Sequence, residues 1–185
     1  MTTLLGIAGS LRPASFNASL LRAASEVAPA SVTFEIATIR EIPLYDGDVE
    51  AASGIPPAAQ ALKDRIASAD GLLLVTPEYN NSLPGVFKNA IDWLSRPPAD
   101  IARVFGGRAV ALCGATPGPG GTALSQTAWL PVLRVLGMRP WFGRSLLVSN
   151  ASQVFDESGR LIDDKQRERL RAFLAGFAEF AANAK

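Results

Sequence analysis

Histidine is missing from all 185 residues, and that single absence removes several chemistries together. Ser-His-Asp hydrolysis, Cys-His thiol catalysis and zinc sites of the His-Glu-x-x-His kind all need an imidazole. Cysteine occurs once, as Cys113, so neither an internal disulfide nor a thiolate metal cage can form within the chain. It lies in the apolar run Ala109-Val110-Ala111-Leu112-Cys113 and reads as a small buried core residue. An excess of charge is lacking too: Lys+Arg 18 against Asp+Glu 17 leaves +1, with no basic run. That balance argues against nucleic acid as a partner, since phosphate neutralisation needs clustered cations. No run of about 18 apolar residues exists, and the N-terminus lacks a basic segment followed by a cleavable apolar one. The expectation is a soluble cytoplasmic protein with no membrane partner, whose chemistry is done by a bound organic cofactor.

What is present is regular. At 48% hydrophobic, residues 1–185 fit one domain with a substantial core. Strand patterns at Leu4–Ala8, Val32–Ile36, Leu72–Thr76, Ala109–Cys113 and Ser145–Val148 alternate with helical patterns near 16–28, 56–69, 84–95, 121–136 and 164–182. All of these strands except the second are near-continuous apolar runs, as in parallel strands covered on both faces. Five such units predict an α/β, flavodoxin-like, doubly wound five-stranded parallel sheet of order 2-1-3-4-5, with helices on both faces. Pro131 inside the fourth helical pattern predicts a kink or a late start. Residues 40–55 show no periodicity and read as a long loop of the functional kind.

In this topology ligands collect where the winding reverses, at the carboxyl ends of strands 1 and 3. The two most unusual loops fall there. The first, Gly9-Ser10-Leu11-Arg12-Pro13-Ala14-Ser15-Phe16-Asn17, leads a strand into a helix through hydroxyls, a guanidinium and an amide. Free backbone N–H groups and the positive helix end converge at such a turn, so the pattern suggests a bound phosphate. The blander reading makes Ser15 an N-cap and Arg12 a solvated charge. The second loop, Pro77-Glu78-Tyr79-Asn80-Asn81-Ser82-Leu83, is densely polar. Tyr79 there either meets a cofactor or braces the loop; Glu78 is either a solvated charge or a backbone-placing residue. Phe87, Ile91 and Leu94 read as core, whereas Trp93 falls off their stripe, exposed or facing a second subunit. Trp129 and Trp141 stay undecided.

With both loops in view, the sequence resembles the NADPH-dependent FMN reductase family of quinone, chromate and azo-compound reductases. The resemblance rests on Gly9-Ser10-Leu11-Arg12 with Ser15 and Asn17, and on Pro77-Glu78-Tyr79-Asn80 continuing into Pro84-Gly85-Val86-Phe87-Lys88-Asn89-Ala90-Ile91-Asp92-Trp93. A glycine-rich segment, Gly114-Ala115-Thr116-Pro117-Gly118-Pro119-Gly120-Gly121, adds to it, although with more proline than the family pattern. The resemblance implies a bound FMN, with NADPH or NADH as hydride donor and a small-molecule electron acceptor such as a quinone, azo dye, nitroaromatic or chromate. It implies that Ser10, Arg12, Ser15, Phe16 and Asn17 hold the FMN phosphate end. Pro77, Glu78, Tyr79, Asn80, Asn81 and Ser82 would meet the ribityl chain and ring edge, and Thr116 and Gly118 the pyrimidine side. No residue is assigned as catalytic in its own right, and no metal is implied. A homodimer or homotetramer is the implied assembly. Rival readings are a flavin reductase that releases reduced FMN, an electron carrier without turnover, and a receiver-like signalling domain. The last would need acidic residues clustered after strand 1, and none occurs there.

Overall fold

The computed structural model describes residues 1–183. Four full strands, β1 (Thr2–Ala8), β2 (Val32–Ala37), β3 (Gly71–Val75) and β4 (Ala109–Ala115), pair in parallel in the order β2-β1-β3-β4. Two short pieces, β5 (Arg139–Pro140) and β6 (Leu147–Val148), complete the outer edge, both pairing in parallel with β4. The predicted strand order therefore holds, with one correction. The expected fifth strand at Ser145–Val148 is shortened to Leu147–Val148, and a second piece, Arg139–Pro140, pairs with β4 ahead of it, with Trp141 N still donating to Val110 O at 2.8 Å before the chain leaves the sheet.

Side chains alternate across each strand, so each supplies two cores. On one face Leu4, Leu73, Val75 and Cys113 pack under α1 (Phe16–Val27) and α8 (Asp164–Ala182). On the other, Leu5, Ile7, Leu72 and Leu74 pack under α3 (Pro57–Ser68), α4 (Gly85–Leu94) and α6 (Ala123–Val135). The predicted stripe of the last helix, Leu170, Phe173, Leu174, Phe177 and Ala181, is buried, and Asp163 caps it by accepting from Gln166 N at 2.8 Å. Cys113 is buried, and burial pushes its thiol well above the ordinary range, which removes it as a nucleophile.

Three expectations are corrected. The 40–55 stretch holds a short helix, α2 (Gly47–Ser53), capped by Asp46; it buries no residue and so shows no apolar period. Trp93 is fully buried, with its indole N–H donating to the Pro43 carbonyl at 3.0 Å and Tyr45 edge-on at 5.0 Å. The loop before α2 folds over α4 and covers that side; Asn89 fixes it by accepting from Tyr45 N and donating to Pro43 O. Arg96 grips Glu50 with two contacts to the carboxylate, chiefly through which Glu50 is held below its usual range. Finally, α6 is helical straight through Pro131, which is exposed; it starts at Ala123, two residues later than the sequence pattern suggests.

Candidate functional site: the cleft at the ends of β1, β3 and β4

The turn after β1 begins under a steric constraint. Gly9 donates its N–H to Val75 O at 2.9 Å, and a Cβ there would lie 2.1 Å from Phe87 Cδ1. Only glycine lets the chain pass this close to α4. Ser10 Oγ accepts from Arg12 N at 3.3 Å, and Ser15 Oγ caps α1 by accepting from Ala18 N at 3.4 Å. Arg40 braces the turn from outside through Leu11 O at 2.6 Å. Among the described residues, the Arg12 guanidinium and the backbone N–H groups of Phe16 and Asn17 have no partner. The turn thus presents an exposed cation and first-turn helix donors that no described residue satisfies, which is the make-up of an anion site.

Asn17 does something else. Its side chain donates to Ala115 O at 2.8 Å and accepts from Ala115 N at 2.9 Å, in a fully buried position. It ties α1 to the end of β4, leaving one amide hydrogen for any ligand.

The loop after β3 is bonded to its own surroundings. Thr76 Oγ1 accepts from Trp129 Nε1 at 3.0 Å, meets Ser125 Oγ at 2.8 Å and lies 3.0 Å from Pro77 O. A hydroxyl has one hydrogen and two lone pairs, so with Thr76 donating to Pro77 the set is satisfied if Ser125 donates to Thr76. Beyond it, Tyr79 and Ser82 exchange both backbone bonds at 3.0 Å around Asn80 (φ 50) and Asn81 (φ 60). Two successive left-handed residues make the mirror-image two-residue turn, where asparagine is favoured over other side-chain-bearing residues. Glu78 is half-buried and tied to α6: its Oε2 accepts from Leu124 N at 2.8 Å and Ser125 N at 3.0 Å. The third loop is fixed to the edge of the sheet. Thr116 N donates to Val148 O, Ala151 N to Thr116 O and Asn150 N to Gly118 O.

These loops enclose one hollow of about 90 Å³. Of the sequence-derived site residues, Ser10, Arg12, Ser15, Phe16, Asn17, Pro77, Glu78, Tyr79 and Thr116 line it. Asn80, Asn81, Ser82 and Gly118 stand outside its lining. Ala115 and Pro117 line it without having been singled out, and only their adjacency to Thr116 marks them in the sequence. A larger groove, about 280 Å³, lies on the other flank of α6 between Leu112, Leu130 and Phe142. It is mostly apolar, and the unpaired donors converge in the smaller hollow instead. Among the described residues no group of three or more acidic, cysteine or histidine side chains is placed to hold a metal, and no helix is long and apolar enough to cross a membrane.

Residues 2–153 match the family model described as NADPH-dependent FMN reductase. The chain belongs to the NADPH-dependent FMN reductase family. An NAD(P)H-dependent FMN reductase of Pseudomonas aeruginosa is 44% identical over 168 residues, covering 91% of this chain and 89% of the relative. A 2-hydroxy-1,4-benzoquinone reductase from a Burkholderia species is 38% identical, covering 93% and 92%. Among solved structures, FerB of Paracoccus denitrificans, a flavoenzyme NAD(P)H:(acceptor) oxidoreductase, superposes with a TM-score of 0.88 at 30% identity, covering 100% and 99%. The residues present fit the family's cofactor. Its dianionic phosphate needs cationic and N–H donors without competing acceptors, and the one carboxylate at the rim, that of Glu78, is engaged by α6.

Proposed function

We propose that residues 1–185 form one FMN-holding domain that oxidises NADPH or NADH and reduces a quinone. Arg12, with Ser10, Ser15, Phe16 and Asn17, would hold the phosphate, its fork matching two phosphate oxygens. Asn80 with the backbone of residues 77–82 would meet the ribityl chain and ring edge, and Thr116 with Gly118 the pyrimidine side. FMN supplies the redox chemistry when bound, letting the nicotinamide and the acceptor use one exposed face in turn, a ping-pong scheme. The chain supplies binding, orientation and N–H donors; no side chain acts as general acid or base.

The observation that carries this reading is the unpaired Arg12 beside unsatisfied first-turn donors, in a hollow whose only carboxylate is bonded elsewhere. The quinone is favoured as acceptor by the names of the relatives. Azo, nitroaromatic and chromate acceptors follow more loosely, from the openness of such a site. A homodimer or homotetramer is supported by the exposed Leu124 and Val135, which share the outer side of α6 with Pro131, and by the exposed Phe142 nearby. A cytoplasmic location fits the redox partners.

The test is an absorption spectrum after gel filtration, followed by steady-state kinetics with benzoquinone and each nicotinamide. Retained flavin colour and parallel double-reciprocal lines are expected. A colourless sample that stays so after FMN is added back would overturn the proposal. Colour lost on the column, with activity only when FMN is supplied, would favour the flavin-releasing alternative.

A further inference from the structure

Glu78 lines the hollow, but its carboxylate bonds outside it. Leu124 and Ser125, its two donors, are the second and third residues of α6. The residue that would ordinarily cap this helix, Thr122, is left-handed at φ 67 and makes no side-chain cap bond. The helix is therefore capped from the loop after β3, across 46 residues of sequence. A carboxylate suits orphan N–H groups, since it accepts from them and also answers the positive end of the helix dipole.

The backbone around Glu78 is held at both ends as well. Thr76 is locked on one side by Trp129 and Ser125. The closed Tyr79–Ser82 turn locks the other. Between them, the N–H of Glu78 has no partner among the described residues. A free donor in a rigidly anchored segment at the rim of the hollow is placed to serve a ligand, and the side chain of the same residue fixes it.

We propose, building on the FMN reading above, that Glu78 is a positioning residue for the flavin. Its carboxylate clamps the 77–79 backbone to α6, so that the loop keeps its ligand-binding shape in the apo protein. Its negative charge, outside the hollow but close to it, also disfavours added negative charge on the reduced ring. It acts through the loop backbone rather than as a catalytic residue, because its carboxylate is bonded to the first turn of α6.

The experiment compares Glu78→Ala and Glu78→Gln with the wild type. It follows FMN dissociation constants by fluorescence titration of apo protein, the midpoint potential of bound flavin, and amide hydrogen exchange at Leu124 and Ser125. Glu78→Ala is expected to weaken FMN at least tenfold and to speed exchange at both amides. Glu78→Gln keeps an acceptor oxygen, so it should recover most of the affinity. Because it lacks the charge, the potential should rise in both variants. A role confined to fold stability would lower the melting temperature and leave the potential unmoved. A folded Glu78→Ala that binds FMN within twofold of wild type would overturn the inference. If that variant does not fold, Glu78→Gln with unchanged affinity and potential overturns it equally. Wild-type protein that fails to bind FMN would sink the flavin reading itself, and the two failures are told apart by that control.

Discussion

The loops after β1 and β3 meet at one cleft and treat their polar groups in opposite ways. The first leaves Arg12 and the first-turn amides of α1 without partners among the described residues. The second is anchored to its surroundings, Thr76 to Trp129 and Ser125, Glu78 to α6 and Tyr79 to Ser82, while the Glu78 N–H stays free among the described residues. Unsatisfied donors lower stability until an anion fills them, so they are a binding device. Satisfied ones add rigidity, so they are a positioning device. A cofactor with a charged tail and a flat ring needs both, the tail for affinity and the ring for orientation.

Breaking the junction between the two devices should have the largest effect. Asn17→Ala removes both side-chain bonds to Ala115 and strands a buried N–H and a buried C=O. At about 1–3 kcal/mol for each orphaned group, a loss of about 2–6 kcal/mol is expected in urea unfolding of the apo protein. A loss below about 1 kcal/mol would mean that water replaces the amide. Arg12→Ala separates the devices cleanly. Its exposed side chain bonds nothing among the described residues, so the apo melting temperature should stay at the wild-type value. FMN affinity should fall by about 1.5–3 kcal/mol if a charge-assisted bond is lost, read by fluorescence titration. Unchanged affinity would place the phosphate elsewhere.

On the positioning side, Asn81→Val puts a β-branched side chain at φ 60. That left-handed conformation costs about 1–2 kcal/mol, measurable in the apo protein, whereas Asn81→Gly should remain close to wild type. Equal stability of the two variants would show that the turn rearranges without strain.

How much of this was legible in the sequence follows the same division. β1, β3 and β4 are apolar on both faces, so their runs and their order could be read directly. The β1–α1 turn was legible where its residues act locally, as Ser15 does in capping α1, but the tie from Asn17 to Ala115, 98 residues on, was not. For Glu78 a backbone-placing role was legible but its partners were not, because they lie 46 residues away and a cap delivered across the fold leaves no local pattern. Trp93 was misplaced for a related reason. Counting periods on α4 alone hides the 40–46 loop that covers its second face and supplies Pro43 O. α2 escaped notice since a helix that buries nothing has no apolar stripe. At the outer edge of the sheet the Ser145–Val148 run registered but Arg139–Pro140 did not, because a two-residue piece ending in proline carries too little sequence to read as a strand.

The smallest expected effect gives the finest distinction between the two devices. Gly118 lies outside the left-handed region, and a Cβ there would meet only Thr116 Oγ1, at 3.9 Å. Gly118→Ala should therefore leave the apo protein intact or stabilise it by about 0.4–1 kcal/mol, through fewer unfolded conformations. If the glycine-rich loop must approach the pyrimidine side closely, the same methyl group should weaken FMN several-fold even though the apo protein accepts it. A variant that gains stability and keeps full FMN affinity would assign this glycine to the path of the loop alone. The pyrimidine side would then rest on Thr116, which is pinned to Val148 and Ala151 at the sheet edge.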